Sequence, residues 1–291
     1  MDDRVSLKAT AQLRRRKIVN LVMEVLAAAA ALVAVGVLVL VVGSVFQRGR
    51  GAIDANLFTK VPATFGESGG GIANAIVGTI VLVLVASAIA LPVGILIAIY
   101  VNELAPRGVR RFVNTVLDVL NGLPSIVIGI FVFGLLVVSR GQSALAGGFA
   151  LAVIMLPLVA RSTQEVLALV PDSLREASYA LGVSRWRTVL GVILPTSLGG
   201  VITGATLGVA RIAGETAPLL FTCSVTTSQV SWNPHDALQS IPLTIFEYLE
   251  SPDPADHERA WAAALILMSF VLVLSVASKL VLARSRRRLA R

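Results

Sequence analysis

Glu176-Ala177-Ser178-Tyr179-Ala180-Leu181-Gly182, followed after nine residues by Val192-Ile193-Leu194-Pro195, is a polar stretch set between strongly hydrophobic runs. A polar, helix-forming loop of this kind buries no core of its own. It makes sense as a handle by which a soluble partner grips a membrane protein. Pro171-Asp172-Ser173 opens the loop, and Ser173 with Glu176 three residues later reads as a capping box. A helix of about two turns is expected to follow. Gly182 suits a left-handed stop, and Ser184 is placed to cap a second helix carrying Arg185, Trp186 and Arg187. The predicted shape is a short helix-turn-helix. Trp186 between two arginines fits either lipid headgroups or a protein groove. Glu176 fits either a cap alone or a cap that also touches the partner.

The composition says which solvent the chain lives in. Apolar residues make up 56% and charged residues only 14%, whereas an ordinary soluble domain carries roughly a quarter charged residues. The chain therefore reads as an all-α integral membrane protein. Its net charge of +8 does not point to nucleic acid, because the basic residues flank apolar runs instead of forming an aromatic-studded patch. The single Cys223 excludes an internal disulfide.

Six runs are long enough to cross the hydrocarbon core: Ile18–Phe46, Ile72–Val101, Phe112–Val138, Ala144–Ala160, Leu194–Phe221 and Ala260–Leu282. The first exceeds the apolar core of a cleaved signal peptide and reads as a retained span. Arg14, Arg15, Arg16 and Lys17, then Arg107, Arg110 and Arg111, then Arg175, Arg185 and Arg187, and finally the arginine-rich tail all fall on one side. The positive-inside rule puts that side, with both termini, in the cytosol. The connection between the fifth and sixth spans is acidic and lies outside.

The expected organisation is a basic cytosolic N-terminus (1–17), a first transmembrane helix with its outer loop (18–70), a five-helix core (71–283) containing the cytosolic loop (171–195), and a basic tail (284–291). The outer segment Thr222–Arg259 holds an apolar run, Ile241–Leu249, which reads as an ordered lid or re-entrant turn. His235 and His257 lie in this segment as loop histidines. Pro92, Pro124 and Pro157 fall within spans and mark kinks inside a bundle.

Charges occur where lipid disfavours them. Gly200, Gly204 and Gly208, then Arg211 and Glu215, fall within an arc of roughly 80° on one helix face at about 100° per residue. Small residues at this spacing let another helix approach closely. A buried arginine demands a partner or a wet cavity. Arg211 and Glu215 fit either an ion pair pinning two helices or a polar element of a pathway for an anion. Arg161 and Glu165 repeat the i, i+4 spacing where the fourth span leaves the membrane, either as a snorkelling arginine or as a second cation near a pathway.

The loop resembles the EAA loop of ABC importer permeases (Glu-Ala-Ala, three residues, Gly, nine residues, Ile-x-Leu-Pro), with Ser178 and Val192 departing from the pattern. Further runs are Gly122-Leu-Pro-Ser-Ile-Val-Ile-Gly-Ile-Phe-Val-Phe133, Leu156-Pro-Leu-Val-Ala-Arg161-Ser-Thr-Gln-Glu165, Ala210-Arg-Ile-Ala-Gly-Glu-Thr-Ala-Pro-Leu-Leu-Phe-Thr222 and Pro242-Leu-Thr-Ile-Phe246. They resemble the phosphate-specific ABC importer permeases of the PstA type. The likeness runs from about Gly71 to the tail. It implies a type I ABC importer permease (MetI-like) bundle with six transmembrane helices in the cytoplasmic membrane of a bacterium.

The resemblance further implies Arg211, Glu215, Thr216 and Arg161 as substrate-pathway candidates. It gives Glu176, Ala177, Gly182 and Arg185 as the coupling residues. The implied partners are a sister permease (PstC-like), two ATP-binding subunits (PstB-like), a phosphate-binding protein outside (PstS-like) and membrane lipid, with no nucleic acid. The chain has no Gly-x-x-x-x-Gly-Lys-Ser/Thr loop and no Gly-Lys pair, so nucleotide sites are expected on another polypeptide and no cofactor on this one. No intramembrane histidine or Gly-x-Ser-x-Gly elbow supports a hydrolase. The alternatives are a permease for another oxyanion (sulfate, molybdate or phosphonate) or a membrane scaffold or sensor whose buried ion pair is purely structural.

Overall fold

The computed structural model describes residues 11–63, 70–224 and 229–289. The first ten residues of the basic N-terminus (1–17) and the last two of the tail (284–291) lie outside the described residues. Among those described there are helices and turns and no strand. The chain divides into two units, Met1–Arg48 and Gly49–Arg291. The first unit is the body of helix α1 (Ala11–Gly49). From Ile18 to Phe46 it is apolar on every side apart from Asn20, Glu24 and Ser44, the pattern of a helix surrounded by lipid.

In the second unit, a 3₁₀ turn (Arg50–Ala52) leads to α2 (Ala55–Thr59), which Asp54 caps by accepting the Leu57 N–H at 2.8 Å. Helix α3 (Ala73–Ile99) continues as a π-helical turn, Tyr100–Leu104. The third expected span is not one helix. Helix α4 (Arg107–Gly122) and helix α5 (Ser125–Val132) meet at 98° across Leu123-Pro124, both in extended backbone. Proline lacks an N–H and pushes the residue before it out of helical geometry, so the break falls there. A π-turn (Phe133–Val137) and α6 (Val138–Arg140) complete α5.

Helix α7 (Ala144–Ala168) is a full turn and more longer than the fourth run suggests, because Arg161, Gln164 and Glu165 remain helical. The loop contributes α8 (Asp172–Ala180) and α9 (Arg185–Thr188). A π-turn (Val189–Ile193) joins α9 directly to α10 (Leu194–Ala213), so the second loop helix is the start of the fifth span. The span then breaks at Gly214–Thr216 and resumes as α11 (Ala217–Thr222). The run 241–249 forms α12 (Ile241–Glu250), capped by Ser240, and α13 (Pro254–Leu289) closes the bundle.

Helix α7 is the axis of this bundle. Two thirds of its most apolar window is buried, against a third or less for the windows of α3, α10 and α13. Small residues allow this from both sides. On α3, Ala86, Ala90, Gly94 and Ala98 recur every four residues and are all buried. A Cβ on Gly94 would lie 3.0 Å from Val159 Cγ1 of α7. On α10, a Cβ on Gly200 would meet Val166 at 2.4 Å, one on Gly204 would meet Ser162 Oγ at 2.3 Å, and one on Gly208 would meet Val159 at 3.1 Å. The three glycines thus face α7 along one seam. The main core joins Leu82 and Ala86 of α3, Leu151 and Met155 of α7, Ile212 of α10, Leu219 of α11 and Leu243 of α12.

At the acidic end, α12 and the segment before it are wedged onto α3. The Thr79 hydroxyl donates to Ala75 O and accepts the Ile241 N–H at 2.9 Å. Gly78 leaves room for the Gln239 carbonyl, which would sit 1.9 Å from a Cβ there. Pro92 lies inside α3 and Pro157 inside α7, and both helices continue through them.

The seam makes a mutational prediction. Gly204→Val should lower the stability of the purified permease by about 1–3 kcal/mol, since the added methyls meet Ser162 with nowhere to go. Gly108→Ala on α4, with nothing within 4 Å, should stay within about 0.5 kcal/mol of the parent. Thermal unfolding monitored by size-exclusion chromatography in detergent separates the two.

Candidate functional site

Two polar regions stand out, one on the loop and one where α10 breaks. The loop helix α8 starts two residues earlier than the capping-box reading requires. Its N-cap is Pro171, which offers no side-chain bond, and Asp172 supplies the negative charge of the first turn. Ser173 is therefore inside the helix and no capping box forms. Ser184 is the N-cap of α9 but bonds through its carbonyl, not its hydroxyl: Thr188 donates both its N–H (2.9 Å) and its Oγ1 (3.2 Å) to Ser184 O.

Between the two helices the chain turns on Gly182, at φ +75°. The Gly182 N–H donates to Tyr179 O and the Val183 N–H to Ser178 O, at 2.9 and 3.2 Å. This pair of bonds satisfies the last carbonyls of α8 and needs a residue that tolerates the left-handed region. Across the turn, buried Ser178 Oγ lies 2.8 Å from Thr188 Oγ1. Because the Thr188 proton goes to Ser184, Ser178 is the donor. The serine that departs from the Glu-Ala-Ala pattern thus fastens α8 to α9.

Glu176, Ala177 and Arg185 are exposed, and Glu176 and Arg185 have no hydrogen-bond or ion-pair partner among the described residues. Leu181 is 83% exposed at the tip and Trp186 is also exposed. Arg175, read from sequence only as a topological charge, is the best-bonded side chain of the loop. It forks onto Glu103 at the end of α3, Nε to Oε2 at 3.3 Å and Nη2 to Oε1 at 3.0 Å. It also donates to Val170 O, Leu167 O and Asp172 Oδ1. The hydrogen bonds it donates to Glu103 hold the guanidinium pKa above its usual value.

The two membrane arginines differ sharply. Arg161 does not pair with Glu165, which is exposed. It is bound instead to α4: Nη2 donates to Asn114 O at 2.9 Å and forms a short ion pair with Asp118, while Nη1 donates to Gln164 Oε1 at 3.1 Å. Gln164 Nε2 in turn donates to Asn114 Oδ1 at 3.2 Å. Arg161 is therefore committed to anchoring the amphipathic α4. The i, i+4 spacing was misleading because Asp118 comes from an element folded back by the bend.

Arg211 sits in the last turn of α10. Glu215 lies beyond the helix end instead of on its face, since Gly214 ends the helix and the Glu215 N–H donates to Ile212 O at 3.2 Å. Arg211 Nε and Glu215 Oε1 are 3.7 Å apart, an ion pair without a hydrogen bond. The arginine side chain is 59% exposed and the glutamate 16%. Arg211 makes no hydrogen bond among the described residues. Its donors are uncommitted beside a carboxylate. Thr216, the N-cap of α11, makes no side-chain cap bond. The outer halves of the two broken spans touch here, for a Cβ on Gly129 of α5 would lie 2.7 Å from Pro218 of α11. Discontinuous helices of this kind are where membrane carriers expose polar backbone to a passage.

A helical bundle with two broken spans and an exposed polar handle is the architecture of a membrane permease domain. The chain belongs to the family of binding-protein-dependent transport system inner membrane components, whose pattern matches residues 90–289, and within it to the PstA-type permeases. It is 38% identical over 278 residues, 94% of this chain and 92% of the other, to the phosphate transport system permease protein PstA of Yersinia pestis. It is 41% identical over 76% of its length to 73% of PstA 1 from Mycobacterium tuberculosis. Solved structures with the same fold include the inward-facing MetNI methionine ABC transporter, at TM-score 0.58 and 20% identity over 74% of this chain and 94% of that one. Another is a bacterial alginate ABC transporter, at TM-score 0.60 and 14% identity over 91% and 93%.

The hydroxyl pair in the loop gives an asymmetric expectation. Ser178→Ala leaves Thr188 satisfied by Ser184 and should cost about 1 kcal/mol, whereas Thr188→Val strands a buried Ser178 hydroxyl and should cost about 1–3 kcal/mol. Hydrogen exchange across residues 172–188 reads the difference.

Proposed function

We infer that this chain is a pore-forming subunit of an ATP-driven phosphate importer. Arg211 carries the reading: it is a guanidinium with uncommitted donors at a break in a span, next to a carboxylate that it touches only loosely. The names of its relatives supply phosphate as the cargo. A guanidinium meets a phosphate oxygen pair with two parallel charge-assisted hydrogen bonds. Glu215, at 3.7 Å, orients Arg211 when the site is empty and repels the anion when it is full. Occupancy at Arg211 is accordingly brief, and the passage releases what it binds. Thr216 offers a hydroxyl at the same break. Arg161 stands apart from this step because its fork is filled by Asp118 and Asn114.

The family supports the partners. A sister permease of the PstC type forms the other half of the passage. Two ATP-binding subunits of the PstB type supply the work, and a PstS-type binding protein delivers phosphate from outside. The complex lies in the cytoplasmic membrane of a bacterium with both termini of this chain in the cytosol, an orientation that the arginine distribution supports. The handle formed by α8 and α9 presents Glu176, Ala177, Leu181 and Arg185 to an ATPase groove, with Gly182 setting the turn.

Phosphate uptake into vesicles containing the assembled complex tests the reading. Wild-type uptake should require ATP. Arg211→Gln should reduce uptake by about tenfold or more with assembly intact, and Arg211→Lys should retain part of it, because a lysine keeps the charge but loses the fork. Normal uptake by Arg211→Gln would reduce the ion pair to a structural clasp. Uptake of sulfate or molybdate in preference to phosphate would move the cargo to another oxyanion.

A further inference from the structure

The handle α8 is joined to the rest of the chain by two bends, extended backbone at Pro171 (ψ 139°) and the left-handed Gly182. A docked helix held only at such joints swivels when pushed and moves nothing behind it. Two side-chain ties prevent that. Ser178 binds Thr188 and so secures α8 to its neighbour α9. Arg175 is the one α8 side chain that, among the described residues, hydrogen-bonds to α3 and to the end of α7.

The Arg175 tie is built for rigidity. The Glu103 carboxylate is only 6% exposed and both its oxygens are taken by one planar fork. The remaining nitrogen donates to Val170 O at 2.6 Å, and Nη2 also reaches Leu167 O at 3.0 Å. These are carbonyls at the end of α7, where the helix has run out of internal donors. Only a guanidinium satisfies a carboxylate and two carbonyls in one plane. The carboxylate belongs to the π-turn that ends α3, and α3 packs along the whole of α7.

We propose that Arg175 is a positioning residue of the coupling step: through Glu103 it converts displacement of α8 into displacement of α3, so that movement of the handle and reorientation of the core are one event. The proposal rests on the importer reading above. It assigns to an intrachain ion pair the link between the handle and α3, beside the one that runs from α9 directly into α10.

The test uses the complete complex in proteoliposomes, with Arg175→Lys, Arg175→Gln and Glu103→Gln measured for co-purifying ATPase subunit, ATP hydrolysis and phosphate uptake in one preparation. Arg175→Lys and Glu103→Gln should assemble and hydrolyse ATP within about threefold of wild type, while phosphate moved per ATP falls by about tenfold or more. Arg175→Gln should behave likewise; should it fail to assemble, the charge-retaining Arg175→Lys decides. Loss of assembly in both arginine variants, a parallel fall of hydrolysis and uptake, or an unchanged ratio of phosphate to ATP would each overturn the proposal. A wild-type complex that takes up no phosphate with ATP would overturn the importer reading instead, so the two failures are distinguishable.

Discussion

Close packing against α7 is the constraint from which the rest of the bundle follows. In lipid, apolar side chains gain little by leaving their surroundings for each other, so helices associate through van der Waals fit. Here the fit comes from removing side chains. Ala86, Ala90, Gly94 and Ala98 flatten α3, and Gly200, Gly204 and Gly208 flatten α10. Val159 of α7 touches both seams, at Gly94 and at Gly208. With α3 and α10 fixed in this way, α13 and the wedge of α12 are placed by the surfaces left over.

The breaks in two spans are tolerable for the same reason. Unpaired backbone cannot face hydrocarbon, but it can persist where it lies against protein or lines a passage. Leu123-Pro124 and Gly214–Thr216 are such places, and α5 and α11 lean on each other just beyond them. Charge is distributed accordingly. Arg161 is neutralised by Asp118 and held by three acceptors, so it serves the architecture. Arg211 is left exposed with its fork open. Two arginines of similar depth in the sequence thus do different work, and their hydrogen-bond partners separate them.

Much of this was legible beforehand, and the failures have a common cause. Hydropathy located the spans, and the spacing of Gly200, Gly204 and Gly208 announced a seam. Gly182 was recognisable as a left-handed stop. Pro124 marked a kink in the third span, but not a 98° break, because hydropathy averages over α4, whose arginines, Asn114, Asp118 and Asn121 return every three or four residues; that period is the signal of an amphipathic helix. The pairs Glu103–Arg175 and Asp118–Arg161 were out of reach, since their members lie 72 and 43 residues apart. For Arg161 local spacing offered Glu165, which is exposed and does not pair with it, whereas for Arg211 it offered Glu215, which does pair with it at 3.7 Å. Ser173 and Ser184 fit the cap pattern in sequence, but Pro171 starts its helix earlier, and Ser184, though it is the N-cap of α9, makes no cap bond through its hydroxyl.

Helix α3 with its π-turn spans 32 residues, about 48 Å at 1.5 Å per residue. One end is bolted to the outer wedge by Thr79 and by the notch at Gly78. The other is gripped by Arg175. A single strut therefore joins the end of the bundle that carries α12 to the end that carries the handle. On the coupling proposed for Arg175, a displacement at one end of this rod is carried to the other.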